Sequence, residues 1–346
     1  MSRFVPPDIT NDGERVSPDV PNALFLAHLS IYRFAGQWAE GAHVLDAGCG
    51  TGYGAAWLAD HGAASVLGVD IEPAAIAHAR RHAVRPNVAF AVADLAHVVD
   101  VGAPAGGWDL IVSSNALEHV WGVDDFFRGA WTRLAPGGTV VIAVPGVLDD
   151  ASRVLQMSNR YHLNIWSPEQ WRHALARYFA DVIAHRHWLD RTDVAFDPAF
   201  DPAFDPASDP ASDPTLDPAV DPGANRLGEA DFAFEAMAPD DLRAPSLSHV
   251  FVATGPRAPS DVPAAGTPLA FIDASFSRRP PRITPLPPDE ATAGAPVSPA
   301  HLPAKALRSW REHGPRALFA EAKQSVVWRF RRRYALWLLG PRSRNR

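Results

Sequence analysis

This 346-residue chain has a single cysteine, Cys49, so no disulfide can form within it. That points to a reducing setting, and a cytoplasmic location is the expectation. No stretch approaches the roughly 20 consecutive apolar residues of a membrane span. The opening residues, Met1 to Pro7, carry no apolar run of signal-peptide length. A large excess of one charge is also missing, since the formal charge is -7. That small total conceals two opposite segments. Asp190 to Pro245 holds 14 acidic and 3 basic residues, whereas His301 to Arg346 holds 12 Lys/Arg and 2 Asp/Glu. Proline is abundant, 33 residues against an ordinary share near 5%, so part of the chain must lie outside regular helix and sheet.

From His43 to Val144, short apolar runs alternate with helical stretches. Strands are expected at 43–47, 65–70, 88–93, 110–113 and 139–144, with helices at 54–60, 73–82 and 124–134. Strands that are apolar throughout and separated by helices indicate a parallel sheet covered on both faces. Ser167-Pro168-Glu169-Gln170 reads as a capping box with proline at the first helical position, which starts a helix running to about Arg177. Sixth and seventh strands follow at 181–188 and 249–254. The fold class is therefore α/β, a Rossmann-like doubly wound sheet of seven mostly parallel strands.

Within that class, 1–42 is an N-terminal segment and helix, and 43–189 is the core. The segment 190–245 is an acidic insertion. It repeats Asp-Pro every fourth residue from Asp197 to Pro222, which forbids regular backbone pairing and implies disorder. The last core strand falls in 246–255, a proline-rich linker in 256–300 and a basic amphipathic tail in 301–346. In that tail Arg329, Arg331, Arg332 and Arg333 lie among Trp328, Phe330 and Trp337. This suits a peripheral membrane surface, a partner enzyme or, less readily, nucleic acid. No basic patch interleaves with the core motifs, so nucleic acid is not expected as substrate.

Val44-Leu45-Asp46-Ala47-Gly48-Cys49-Gly50-Thr51-Gly52-Tyr53-Gly54 is a strand feeding a glycine turn that opens a helix. Glycine allows close backbone approach and positive φ. The nicotinamide fingerprint G-x-G-x-x-G fails at Tyr53 when begun at Gly48, and at Ala55 when begun at Gly50. An oxidoreductase is thus disfavoured. Asp70 and Asp94 close the second and third strands. An acid at the second strand's end can accept hydrogen bonds from ribose hydroxyls, a feature shared by several adenosyl-cofactor proteins.

These motifs, in this order, resemble those of the class I S-adenosylmethionine-dependent methyltransferases. The resemblance runs from about His43 to Thr254 and includes Asn115-Ala116-Leu117-Glu118-His119-Val120 after the fourth strand and Leu134-Ala135-Pro136-Gly137-Gly138 before the fifth. It implies S-adenosylmethionine as cofactor, held by Asp46, Gly48, Cys49, Gly50, Gly52, Asp70, Ile71, Asp94, Leu95 and Ser113. Asn159-Arg160-Tyr161-His162 and Tyr32-Arg33-Phe34 are similar to segments of a subgroup encoded beside polysaccharide-building enzymes. The implied acceptor is a small molecule or glycan hydroxyl. An alcohol must lose its proton, which suits a histidine near neutral pKa. His119 and His162 are the candidates, with Glu118 orienting; His119 alternatively bonds to backbone at a helix start. A Glu-x-x-Glu-His metal motif would need glutamate where Asn115 stands, which leaves a hard-cation site one anionic ligand short, and no metal is expected. The competing function is a non-catalytic binding module with the same fold, recruited by its tail.

Overall fold

A computed structural model describes residues 23–159, 161–190 and 228–267, together with Val16, Pro18 and Leu269. The chain begins with α1 (Ala23–Ala35), then β1 (His43–Ala47), α2 (Tyr53–Asp60), β2 (Ser65–Asp70), α3 (Pro73–His82), β3 (Val88–Val92) and β4 (Trp108–Ser114). It continues through α4 (Val123–Arg133), β5 (Leu134–Pro145), α5 (Asp150–Ser158), α6 (Pro168–Ala176), β6 (Phe179–Leu189), β7 (Phe232–Ala236) and β8 (Ser248–Pro256). The strands form one sheet in the order β3-β2-β1-β4-β5-β8-β6-β7. From β3 to β5 all pairings are parallel, whereas β8 runs antiparallel to both its neighbours and β7 antiparallel to β6.

Alternation along the strands explains the two covered faces. In β5, Val140, Ile142 and Val144 pack into a core with Phe126, Phe127 and Trp171 from α4 and α6. Val141 and Ala143 pack on the other face with Ile31, Leu58 and Ile76 from α1, α2 and α3. Helix starts follow their local signals. Ser167 Oγ accepts from Gln170 N (3.4 Å) while Gln170 Oε1 accepts from Ser167 N (2.8 Å), the expected box. A second box, Asp149 with Ser152, starts α5, a helix the sequence reading did not assign.

Two boundaries differ from expectation. The sheet has eight strands, not seven, and β7 lies inside the segment expected to be wholly disordered. The acidic composition is outweighed there by two aromatics. Phe232 is buried, and Phe234 stacks on Phe34 of α1 with ring centroids 4.5 Å apart. Arg33 secures the same segment by donating to the carbonyls of Glu229 (3.1 Å) and Phe232 (2.6 Å). Similarly, the first residues assigned to the linker are bound to the domain. Arg257 N donates to Tyr178 O (2.9 Å), Trp131 Nε1 to Arg257 O (2.9 Å) and Arg128 to Pro263 O (2.6 Å). The tetrapeptide repeat, most of the linker and the basic tail lie outside the described residues. Among those described, no helix is long and apolar enough to cross a membrane.

Candidate functional site

The carboxyl ends of β1, β2 and β3 bring Asp46, Asp70 and Asp94 to one edge of the sheet, around the turn that leaves β1. That turn is anchored to β2 by Gly48 N and Cys49 N, which donate to Val69 O at 2.8 and 2.9 Å. Gly48, Gly50 and Gly52 all have positive φ, at 85°, 50° and 84°. Their surroundings differ. A Cβ on Gly48 would sit 2.4 Å from Ala116 Cβ, and one on Gly52 2.8 Å from Ala79 and Phe90. A Cβ on Gly50 would meet nothing within 4 Å. Two glycines are therefore required by packing, and the third borders open space.

Asp70 holds the turn directly. Its Oδ2 accepts from Gly50 N at 3.0 Å and its Oδ1 from Glu72 N at 2.9 Å. Each oxygen keeps further acceptor capacity for donors outside the chain. Ile71 follows, an apolar side chain 65% exposed beside the turn. Asp94 accepts from Ala96 N (2.9 Å) and is itself exposed.

Asp46 is fully buried. Its Oδ1 accepts from Tyr32 Oη at 3.0 Å, and its Oδ2 has no hydrogen-bond partner. Burial pushes its pKa up to about 7; the Tyr32 hydrogen bond opposes that rise, the Asp70 charge adds to it and the Ala55 backbone opposes it. A buried carboxylate oxygen without a donor is costly. An ammonium group, directly or through water, is the kind of donor that would satisfy it. The donor set therefore fits an adenosyl cofactor carrying an amino acid.

Three implied cofactor residues do not present side chains to this space. Ser113 is buried and donates its Oγ to Ala47 O at 2.8 Å, tying β4 to β1. The Cys49 thiol is buried beside Gly68, with its pKa raised by burial and by Asp46 and Asp70. The Leu95 side chain belongs to the core. Small polar or glycine-adjacent residues at strand ends look alike in sequence whichever way they point.

Past β4, Asn115 adopts a left-handed φ of 47° and donates its N–H to Ala143 O at 2.9 Å. The chain then makes a 3-10 turn, Leu117–His119. The segment after α5 is stapled onto it. Leu163 N and Asn164 N both donate to Glu118 O (2.7 and 2.9 Å), and Asn164 Nδ2 donates to Leu117 O and Val120 O (2.7 Å each). Glu118 is buried, and His119 Nε2 lies 3.9 Å from its Oε1. His119 Nδ1 lies 3.2 Å from Tyr161 O, and the His162 ring meets that of His119 edge-on at 4.8 Å. All three predicted catalytic residues thus gather in one cluster. It adjoins the glycine turn through the Ala116–Gly48 approach. Sequence reasoning named neither Tyr32 nor Asn164 as a site residue. Tyr32 entered only within a subgroup resemblance, and the contact of its hydroxyl with Asp46, like those of Asn164 with Leu117 and Val120, is made across the fold.

The class of protein this geometry defines is a doubly wound α/β domain with a glycine turn and three acidic strand ends gathered at one edge of its sheet. Residues 44–138 match a family model described as a methyltransferase domain. A protein of Mycolicibacterium smegmatis named as a probable S-adenosylmethionine-dependent methyltransferase is 33% identical over 135 residues, 38% of this chain and 50% of that one. The ubiquinone biosynthesis O-methyltransferase of Methylocella silvestris is 31% identical over 176 residues, covering 48% and 66%. The trans-aconitate 2-methyltransferase of Streptomyces coelicolor is 34% identical over 145 residues, covering 40% and 44%. The chain spans about half the length of the curated relatives it matches. Residues 44–138 thus match a methyltransferase domain, the chain is similar to S-adenosylmethionine-dependent methyltransferases, and the cofactor this likeness implies is S-adenosylmethionine.

Proposed function

We propose that the protein transfers a methyl group from S-adenosylmethionine to an oxygen of a small-molecule acceptor, with a sugar hydroxyl on a glycan or glycolipid precursor as the first candidate. The observation that carries this reading is the cradle itself: three acidic strand ends around a glycine turn whose middle glycine borders open space. Gly50 keeps the turn bare, Asp70 offers its carboxylate to ribose hydroxyls, Ile71 covers the adenine, and Asp94 takes the adenine amino group. Asp46 receives the ammonium of the methionine part.

Bound S-adenosylmethionine supplies a methyl on a sulfonium, already a good electrophile, so the protein's task is alignment and exclusion of water. The Glu118–His119–His162 cluster adjoins the cradle, and its residues handle the proton that an acceptor hydroxyl loses. Oxygen as the acceptor atom is supported by the named activity of the Methylocella relative. A sugar acceptor is supported by the Asn159–His162 segment, which the fold carries to that cluster.

Calorimetry with S-adenosylhomocysteine tests the cradle. Binding with one site per chain is expected, and no heat at about 100-fold excess over a micromolar Kd would end the reading. Transfer of labelled methyl to a panel of free sugars, phenols and carboxylic acids then tests the acceptor class. Labelling confined to carboxylic acids would replace the sugar proposal.

A further inference from the structure

Glu118, His119 and His162 each offer a ligand atom, and the three atoms lie within 4.8 Å of one another. We propose that this cluster is a binding site for a divalent transition-metal ion of the zinc type, on the acceptor side of the cofactor cradle. Two imidazoles and one carboxylate form a donor set suited to zinc, cobalt or iron rather than to magnesium or calcium. The asparagine at 115 that leaves a hard-cation site short of charge therefore does not count against a borderline ion.

The surroundings hold the three ligands in place. His119 Nδ1 is set against the Tyr161 carbonyl, 3.2 Å away; donating its proton there, the ring turns its Nε2 lone pair toward Glu118 Oε1 at 3.9 Å. A ligating histidine anchored through its other nitrogen to a carbonyl is the usual outer support of such a site. Glu118 and His162 are fixed relative to each other by backbone, because Leu163 N and Asn164 N both donate to Glu118 O. The turn bearing two ligands and the loop bearing the third are thus one unit before any ion arrives. Ligands about 2 Å from a tetrahedral ion stand roughly 3.3 Å apart, so closure requires side-chain movements of about an ångström. Three protein ligands leave coordination positions open to a hydroxyl. The ion would acidify such a hydroxyl, so that its proton would pass to solvent; without the ion, the imidazoles of the cluster are the groups that take it.

The inference deepens the proposed function and rests on it for the ion's role, while ion binding itself is measurable without cofactor. The full-length protein, stripped by chelator, is titrated with Zn²⁺ by calorimetry and with Co²⁺ by visible absorption. One equivalent of Zn²⁺ per chain is expected, with a Co²⁺ spectrum of low-symmetry nitrogen and oxygen ligation. Glu118→Gln and His162→Gln should each weaken binding at least tenfold, while His43→Gln, at the exposed start of β1, should leave it unchanged. The half-exposed position of His162 makes its variant the safer of the two for folding. Unchanged S-adenosylhomocysteine affinity in that variant shows that the core is intact. No Zn²⁺ binding by the unaltered chain, or binding that survives both substitutions, overturns the metal site. Loss of S-adenosylhomocysteine binding in the unaltered chain would instead overturn the methyltransferase reading.

Discussion

The two halves of the sheet solve opposite problems. From β3 to β5, parallel strands end together and gather Asp46, Asp70 and Asp94 around a turn whose Gly50 borders open space. From β5 to β7, antiparallel strands carry polar side chains into the packed interior. His187 and His249 are buried there, and burial lowers their pKa values to about 3 and about 4. His187 Nε2 lies 3.0 Å from Ser30 Oγ, and its ring stacks on Phe234; His249 Nε2 lies 3.1 Å from Leu242 O. The parallel half keeps a buried acid whose pKa rises to about 7, while the antiparallel half keeps buried bases that stay neutral. The first half gathers its acids at the strand ends, and the second buries its bases among packed side chains.

Acid should separate the halves most strongly. Above pH 6.5 both histidines are neutral whether the chain is folded or not, and they contribute no pH dependence. Below that, the unfolded chain binds protons that the native state refuses, so stability falls as pH drops toward about 4. Asp46 acts in reverse, because the native state takes its proton first, and one aspartate offsets one of the two histidines. The three groups together leave about one proton, or about 1.4 kcal/mol per pH unit, and so about 3 kcal/mol across the window. Urea unfolding across that range measures it. In His187→Gln the slope should flatten by about one proton, and an unaltered slope would remove His187 from the account.

Within the parallel half, Asp70→Ala deletes the acceptor of two turn N–H groups together with the expected ribose contacts. S-adenosylhomocysteine affinity should fall on the order of 10- to 100-fold by calorimetry, together with a lower melting temperature from the two lost turn hydrogen bonds. A smaller, pH-dependent effect belongs to Asp46. Ligand ammonium favours its ionised form, so affinity should decline below pH 7 by up to about tenfold per unit. Asp46→Asn should be weak at every pH and free of that dependence.

The smallest effect should come from Arg33→Ala, which releases the Glu229 and Phe232 carbonyls at the far edge. The expected loss is about 1–2 kcal/mol of stability, seen as a lower melting temperature, with S-adenosylhomocysteine affinity within twofold of the original. A change in affinity larger than the change in stability would mean that the two halves are coupled.

The parallel half was legible in the sequence because its signals are local. Asp46 and the glycines lie within a few residues of one turn, Asp70 ends the very next strand, and Pro73 and Ser167 mark helix starts where the helices indeed begin. The antiparallel half was less legible because its determinants are distant in sequence. Phe232 and Phe234 sit in an acidic, proline-rich neighbourhood, and only their alternation betrays a strand. Their partners, Arg33, Phe34 and His187, are far along the chain. Side-chain direction failed for the same reason. Nothing near Ser113 says that its hydroxyl is spent on Ala47, and nothing near Tyr32 says that its hydroxyl reaches Asp46.

The place of β8 has a consequence for biosynthesis. β6 and β7 touch the rest of the sheet only through β8, which pairs Val250 with both Ala143 of β5 and His185 of β6. A ribosome delivers that strand after everything it must join. The cradle of β1 to β5 can assemble while the emerging edge hairpin still waits for its seat. The backbone of β6 from Asp181 to His187 then lacks its β8 partners until the last strand threads between the two halves and joins them.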